Sequence, residues 1–235
     1  MYGFLKKIVK NILSKTSWRL KKIYKNKEYV NEKPNLDLLI SLHNSRGIIH
    51  MGAHRGKEAA IYDWLQKKTI WIEANPYIIS DLKDHIYQFP YQKAILALLT
   101  DKDNTEIEFK ISNNDSASSS IFEFGKKSIE QDLKMVSRIK LKSQKLDTIF
   151  NRESIEISEY DFWIMDLQGA ELLALKGATN SLKKCRAILV EISKSDYYLN
   201  AAKWDELKIF LNSNKFYQKW EPKELHTDVL FVKDN

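Results

Sequence analysis

Cysteine is nearly absent from this 235-residue chain; Cys185 stands alone. One thiol cannot close an internal disulfide, which excludes a secreted, disulfide-stapled scaffold. Cys185 falls in an apolar, strand-like stretch, so it is expected in the core of a protein kept in a reducing, cytoplasmic setting. No run approaches the roughly 18 apolar residues of a membrane span. No small-residue cleavage site follows a hydrophobic run, so no secretory leader is evident. The cysteine–histidine spacing of a zinc site and the G-x-S-x-G elbow of a serine hydrolase are also missing. Asp166 and Glu191 are candidates to share a divalent ion, but two acids alone do not make a metal site, and no metal is expected. Acidic residues are missing from residues 1–27, which hold nine of the 38 lysines and arginines. The rest of the chain then carries 29 basic against 31 acidic side chains. The net charge of +7 thus belongs to a leader, and the near-neutral body argues against nucleic acid as a partner.

What is present suits a folded domain. Apolar residues make up 43% of the chain, with eleven tyrosines and ten phenylalanines. The length suffices for one domain with a sizeable core. In the leader, Phe4, Leu5, Ile8, Val9, Ile12 and Leu13 recur at helical spacing between lysines, predicting a basic amphipathic helix within residues 1–30, ahead of a domain over 31–235. Such a helix either lies peripherally on an anionic surface, at the inner membrane face, or docks on its own domain or on a second subunit of a homodimer.

The most informative stretch is Ile48 to Asn75, IIHMGAHRGKEAAIYDWLQKKTIWIEAN. A short apolar run breaks at Gly52-Ala53-His54-Arg55-Gly56, a helical pattern follows, and a second apolar run ends in Glu73. Strand, glycine turn, helix, strand and acid is the order of a nucleotide-binding unit. Glycines let backbone N–H groups come close to a ligand, and an acid at the second strand's tip can accept both hydroxyls of a ribose. Glu73 follows Gly52 by 21 positions, against roughly 20 in the dinucleotide fingerprint. That fingerprint needs a second glycine where this chain has His54, and a side chain there crowds a pyrophosphate. S-adenosyl-L-methionine, an adenosine ligand without phosphate, fits better than a nicotinamide dinucleotide. The plain alternative is a tight turn that binds nothing.

Further along, Lys93–Leu99 reads as a third strand with Thr105–Ile111 as a hairpin appended to it. Residues 126–137 read as a short surface helix and 138–146 as another alternating strand. Tyr160–Met165 is a buried strand ending at Asp166-Leu167-Gln168-Gly169, with a helix after it, and 186–192 is a strand carrying Glu191 among apolar neighbours. A helix from Trp204 and two closing strands complete an α/β domain with a mostly parallel sheet. Ligands of such sheets sit at the carboxyl ends of the strands. His54, Glu73, Asp166, Gln168 and Glu191 all fall at or just past predicted strand ends. Asp166, Glu191 and His54 are the candidate bases for a hydroxyl acceptor. Asp166 could equally cap a helix, Glu191 be a paired structural acid, His54 a surface residue and His50 a satisfied core histidine. The polar run 112–120, with Asn114, Ser118, Ser119 and Ser120, can wrap a polar acceptor or be a flexible loop.

As a set, these motifs resemble the FkbM family of S-adenosylmethionine-dependent methyltransferases. The matching pieces are IIHMGAHRGKE (48–58), WIEANP (71–76), SASSSIF (116–122), KLDTIF (145–150), WIMDLQGAELLALKGA (163–178), LVEIS (189–193) and HTDVLFVK (226–233). The resemblance implies a Rossmann-like class I methyltransferase fold, with a mostly parallel seven-stranded sheet, helices on both faces and an appended β-hairpin. It also implies that Gly52, Ala53 and Gly56 line the methionine part of the cofactor, that Glu73 holds the ribose, and that Asp166 sits beside the transferred methyl. With His50, His54 and Gln168 these are the expected cofactor contacts. The family commonly O-methylates hydroxyls of sugars or natural products, so a small-molecule or glycan hydroxyl is the expected acceptor. The alternatives are a ribose or RNA 2′-O-methyltransferase, and an inactive adaptor of the same fold. One departure stands out: the family usually has an acid where this chain has His50.

Overall fold

The computed structural model describes residues 36–233. The chain divides into two units, residues 1–39 and 40–235. The leader helix expected within residues 1–30 lies outside the described residues, as does any membrane or subunit contact through residues 1–27.

In chain order the strands are β1 (Gly47–Met51), β2 (Lys68–Glu73), β3 (Gln92–Leu96), β4 (Leu98–Leu99), β5 (Glu106–Ser112), β6 (Met135–Gln144), β7 (Phe162–Met165), β8 (Ala187–Ser193), β9 (Phe216–Gln218) and β10 (His226–Lys233). The α-helices are α1 (Leu36–His43), α2 (Ala59–Trp64), α3 (Ile79–Ile86), α4 (Lys126–Glu130), α5 (Leu146–Arg152), α6 (Glu171–Lys176) and α7 (Trp204–Ser213).

Seven strands form the main sheet in the order β3-β2-β1-β7-β8-β10-β9. The first five run parallel, and β10 and β9 close the edge antiparallel. Strand β1 is buried at all five positions, which is why it reads as an unbroken apolar run rather than an alternation. From β1 the chain builds outward through β2 and β3, then returns to lay β7 and β8 on the other side. The order therefore reverses between β1 and β7, and the carboxyl ends of these two strands open the crevice where an α/β sheet binds its ligand.

Leu146, Ile149 and Phe150 of α5 and Leu172, Ala174 and Leu175 of α6 share one core with Ile49, Ile70, Trp163, Ile188 and other strand residues. Ile149 and Phe150 follow Leu146 by three and four positions and Leu175 follows Leu172 by three, which puts each set on one helix face. Cys185 is buried and free, as its apolar setting implied.

The third strand departs from expectation. It is not continuous over 93–99: after β3 the Ala97 N–H turns to the Glu73 carbonyl at 2.9 Å, and β4 joins a second, three-stranded sheet ordered β4-β6-β5. The appended hairpin is present, but its arms are β5 and β6, paired antiparallel from Glu106–Lys142 to Ser112–Met135, and β3 is not one of them. The alternation of Glu106 to Ile111 could signal a two-faced strand without naming its partner. Of residues 126–137 only Lys126–Glu130 is helical.

Candidate active site

The turn after β1 is shaped by how closely β7 crosses it. The Asp166 N–H donates to the Met51 carbonyl at 3.0 Å. A Cβ on Gly52 would sit 1.8 Å from the Asp166 carbonyl oxygen, and Gly52 has φ +84°, so both space and backbone conformation demand glycine. The turn's amides are already spent: the Gly52 and Ala53 N–H groups donate to the Ile72 carbonyl at 2.9 and 3.1 Å. The expectation that they point at a ligand is therefore corrected; they staple β1 to β2. Gly56, φ +64°, packs against α3, where a Cβ would meet Leu82 Cδ1 at 2.7 Å.

Glu73 ends β2 almost wholly buried. Its Oε2 accepts the His54 N–H and its Oε1 the Asn75 N–H, both at 2.7 Å. Burial pushes this carboxyl up, and the two backbone donors work against that shift. The side chain thus braces the glycine turn against the β2 terminus and fixes its own orientation.

His50 lies buried within β1. Its Nδ1 is 3.1 Å from the Tyr62 hydroxyl, and its ring stacks on Trp71 at a centroid distance of 4.8 Å. Burial lowers its pKa to about 3, so it is neutral at physiological pH. It is both a satisfied core histidine and a wall of the cavity described below.

Past β7 the acids gather. Gln168 Nε2 donates to Asp166 Oδ1 and, at 3.0 Å, to Glu191 Oε2, standing between the two carboxylates where a shared cation would have to sit. Among the described residues no group of three or more histidines, cysteines and acids is placed to hold a metal. Glu191 Oε1 lies 3.0 Å from His226 Nε2 across the β8–β10 pair. That hydrogen bond pushes the His226 pKa up. Burial and the Glu191 charge push the Asp166 carboxyl well above the usual range. Glu171, buried, accepts the Leu167 N–H at 2.8 Å and the Gly169 N–H at 3.2 Å; burial, with Glu191 second, raises its pKa to about 7. The Tyr198 hydroxyl reaches Gln168 Oε1 and, at 3.2 Å, the Ser118 carbonyl. Sequence reasoning did not single out Glu171, Tyr198 or His226. Glu171 and His226 lie inside quoted motifs, but only the strand pairing and the turn reveal their partners.

The polar run folds as a compact loop. Asn114 Nδ2 donates to Ser118 Oγ at 2.9 Å, the Ser119 hydroxyl to the Ser116 carbonyl at 2.8 Å, and the Ser120 hydroxyl to the Gln168 carbonyl at 2.7 Å. Two latches tie the loop to the glycine turn: His54 Nε2 lies 2.9 Å from the Asp115 carbonyl, and Arg55 pairs with both Asp115 and Asp81. His54 is thus turned to the loop. Exposed ion pairs contribute little to global stability, about 1 kcal/mol or less. Arg55→Ala is therefore expected to leave the unfolding midpoint nearly unchanged while amide exchange of residues 113–119 speeds up severalfold, a difference hydrogen-exchange mass spectrometry resolves; unchanged exchange would mean that the latch does not hold the loop.

A cavity of about 220 Å³ opens at the ends of β1, β2 and β7. His50, Gly52, Ala53, His54, Glu73, Ser119, Asp166 and Gln168 line it together with Ile72, Ala74, Leu98 and Leu99. Gly56, Asn114, Ser118 and Ser120 do not, and Glu191 lines a second cavity beyond Gln168.

The model of the FkbM methyltransferase domain matches residues 50–218, which is 169 of the 235 positions. The chain belongs to the FkbM methyltransferase family. The matched segment of this methyltransferase domain runs from His50 in β1 to the end of β9 and holds every residue of the first cavity. No curated protein matches the sequence. Solved structures similar to this FkbM domain include a TehB-like SAM-dependent methyltransferase from Corynebacterium glutamicum, with 9% identity over 84% of this chain and 86% of that one at a TM-score of 0.43. The magnesium protoporphyrin IX methyltransferase of Synechocystis PCC 6803 with bound SAM has 9% identity over 84% and 76% at 0.46. Fibrillarin from Aeropyrum pernix in complex with S-adenosyl-L-methionine has 12% identity over 79% and 66% at 0.47.

Proposed function

We propose that this domain is an S-adenosyl-L-methionine-dependent O-methyltransferase acting on a sugar hydroxyl of a glycan, glycolipid or related metabolite. Family membership supports methyl transfer. The observation that carries the cofactor reading is the placement of Glu73, a buried carboxylate held rigid by two backbone N–H groups in the wall of the first cavity. A carboxylate offers about four lone-pair positions, and two are taken; the others suit the two hydroxyls of a ribose. Ile72, Ala74, Leu98 and Leu99 supply apolar walls for a flat base. Gly52, Ala53 and Asp166 line the same end of the cavity, where an amino-acid tail would lie. The cofactor would supply an electrophilic methyl on a sulfonium. The chain's own part is alignment and handling of the proton: Asp166, in the wall of the first cavity, and Glu191, across Gln168, are the carboxylates that would take the hydroxyl proton of the acceptor.

Calorimetry is expected to show S-adenosylmethionine and S-adenosylhomocysteine binding to the wild-type protein. Glu73→Gln should weaken both by roughly 10- to 100-fold, the range for losing a hydrogen bond to a charged group. Absence of binding by either compound to the folded protein would overturn the proposal.

A further inference from the structure

The second cavity, of about 750 Å³, begins where the first one ends. The segment 166–172 is the partition. Asp166 and Gln168 face the first cavity, Gly169, Glu171 and Leu172 the second, and the Gln168 amide bridges from Asp166 to Glu191 through that wall. A space of this size is in the range of pockets that enclose drug-sized ligands, which suits two or three linked rings better than one.

Its lining has a particular chemistry. Trp204 is half-buried, its ring tilted on Phe231 at 5.9 Å with the Lys208 ammonium 5.7 Å from its centroid, and the rest of the ring edge is turned to the cavity; its indole N–H makes no hydrogen bond among the described residues. The Asn200 side chain is exposed at the rim and likewise makes no hydrogen bond there. Glu171 and Glu191 bring carboxylates to the partition, and His226 holds Glu191 from the far side. Four acids face two lysines around the cavity, and one of those, Lys194, donates to the Pro222 carbonyl at 2.9 Å. An aromatic surface beside fixed carboxylates and an amide matches a ligand whose apolar C–H faces alternate with hydroxyl donors and acceptors. The lining, with the carboxylates of Glu191, Asp196 and Asp205 beside Lys194, Lys203 and His226, offers no surplus of cations to a phosphate or carboxylate ligand.

We infer that this second cavity is the acceptor site, and that it takes a neutral oligosaccharide of two or three rings. The inference rests on the methyltransferase proposal above and extends it by placing the acceptor. Ring C–H faces lie against Trp204 and hydroxyls are bound by Asn200 and the carboxylates; the Gln168 side chain, held between the cavities by hydrogen bonds to Asp166, Glu191 and Tyr198, swings aside so that the hydroxyl to be methylated reaches the first cavity. The run 112–120, expected to wrap the acceptor, instead closes the cofactor side.

Saturation-transfer NMR on the full chain tests this, with glucose, galactose, cellobiose, lactose and maltotriose as probes and glucose 1-phosphate as the anionic control. At least one oligosaccharide is expected to bind at least fivefold tighter than its monosaccharide and than glucose 1-phosphate. Trp204→Leu should weaken that binding tenfold or more. Ala201→Trp, which fills the cavity from a half-buried loop position, should do the same without touching the core. In both variants S-adenosylmethionine affinity, read by calorimetry, should stay within twofold of wild type. If S-adenosylmethionine binds but no oligosaccharide does, or if oligosaccharide binding survives Ala201→Trp, the inference is overturned while the cofactor assignment stands. If S-adenosylmethionine itself fails to bind, it is the underlying proposal that is overturned.

Discussion

Replacing His50 by glutamine is expected to make the protein progressively more stable than wild type as the pH falls below about 6.5. The histidine is buried, and its pKa drops from 6.5 in the unfolded chain to about 3 in the folded one. Folding therefore favours its neutral form, so no penalty exists above about pH 6.5. Below that pH the unfolded chain takes up a proton that the folded chain refuses. Stability is lost at about 1.4 kcal/mol per pH unit until about pH 3, a total near 5 kcal/mol. Glutamine keeps a polar partner for the Tyr62 hydroxyl without titrating. Urea unfolding at pH 7, 6 and 5 should show the variant gaining roughly 2 kcal/mol on wild type across that span. The comparison must be a difference, because Glu171 works in the opposite direction. Its pKa is raised to about 7, so the folded state gains as the pH falls from 7 toward 4.5, by about 3 kcal/mol. Wild type alone can thus look insensitive to mild acid, because Glu171, together with the raised carboxyls of Glu73 and Asp166, opposes His50. Stability curves for wild type and His50→Gln that run parallel from pH 7 to 5 would remove His50 as an acid-sensitive group.

Gly52→Ala should be the most damaging single-methyl substitution in the glycine turn. The new Cβ would lie 1.8 Å from a backbone carbonyl oxygen that is fixed by the β1–β7 pairing, at a φ of +84°. A strained φ alone costs of order 1–3 kcal/mol, and the clash requires the two central strands to separate, so a loss above about 3 kcal/mol is expected. Gly56→Ala supplies the contrast. There the clash is with the end of the Leu82 side chain, at 2.7 Å, which can rotate away, and a cost nearer 1–2 kcal/mol follows. Denaturant midpoints with unchanged slopes would rank the two. Equal costs, or a milder effect at Gly52, would show that the ends of β1 and β7 are not rigidly fixed.

This pair of glycines also shows how far the residues could be interpreted without coordinates. Their spacing announced a turn after a strand, and Glu73 followed at the distance of a ribose-binding acid. Gly52 and Glu73 lie on the cavity at the strand ends, while Gly56 packs on α3. The turn's hydrogen bonds were not legible. Whether an N–H faces a ligand or a neighbouring strand depends on what passes within 3 Å, and here that is the carbonyl of Ile72. The same limit applies to β5. Its alternation marked it as a strand, but its partner β6 follows only after a 22-residue connection containing the latched loop and α4. Period-two patterning specifies a face and leaves the pairing open.

His226 is the clearest case of a residue hidden in plain view. In sequence it is the first residue of an ordinary closing strand. Only the antiparallel register of β10 on β8, with Asp228 opposite Glu191, brings its ring to the Glu191 carboxylate.

The residues by themselves determined an α/β domain with a parallel centre, a nucleotide-type turn and the family to which the chain belongs. These follow from local rules: an apolar run for a strand buried on both faces, glycine for a left-handed turn, and short motifs at constant spacing. Only the tertiary structure decided that one partition at Gln168 separates two cavities, that a serine-rich loop is latched over the first, and that the acid inside β8 has a histidine partner. Those outcomes depend on contacts between groups up to 80 positions apart, such as the Tyr198 hydroxyl on the Ser118 carbonyl. No local pattern encodes such contacts; they arise from the strand order.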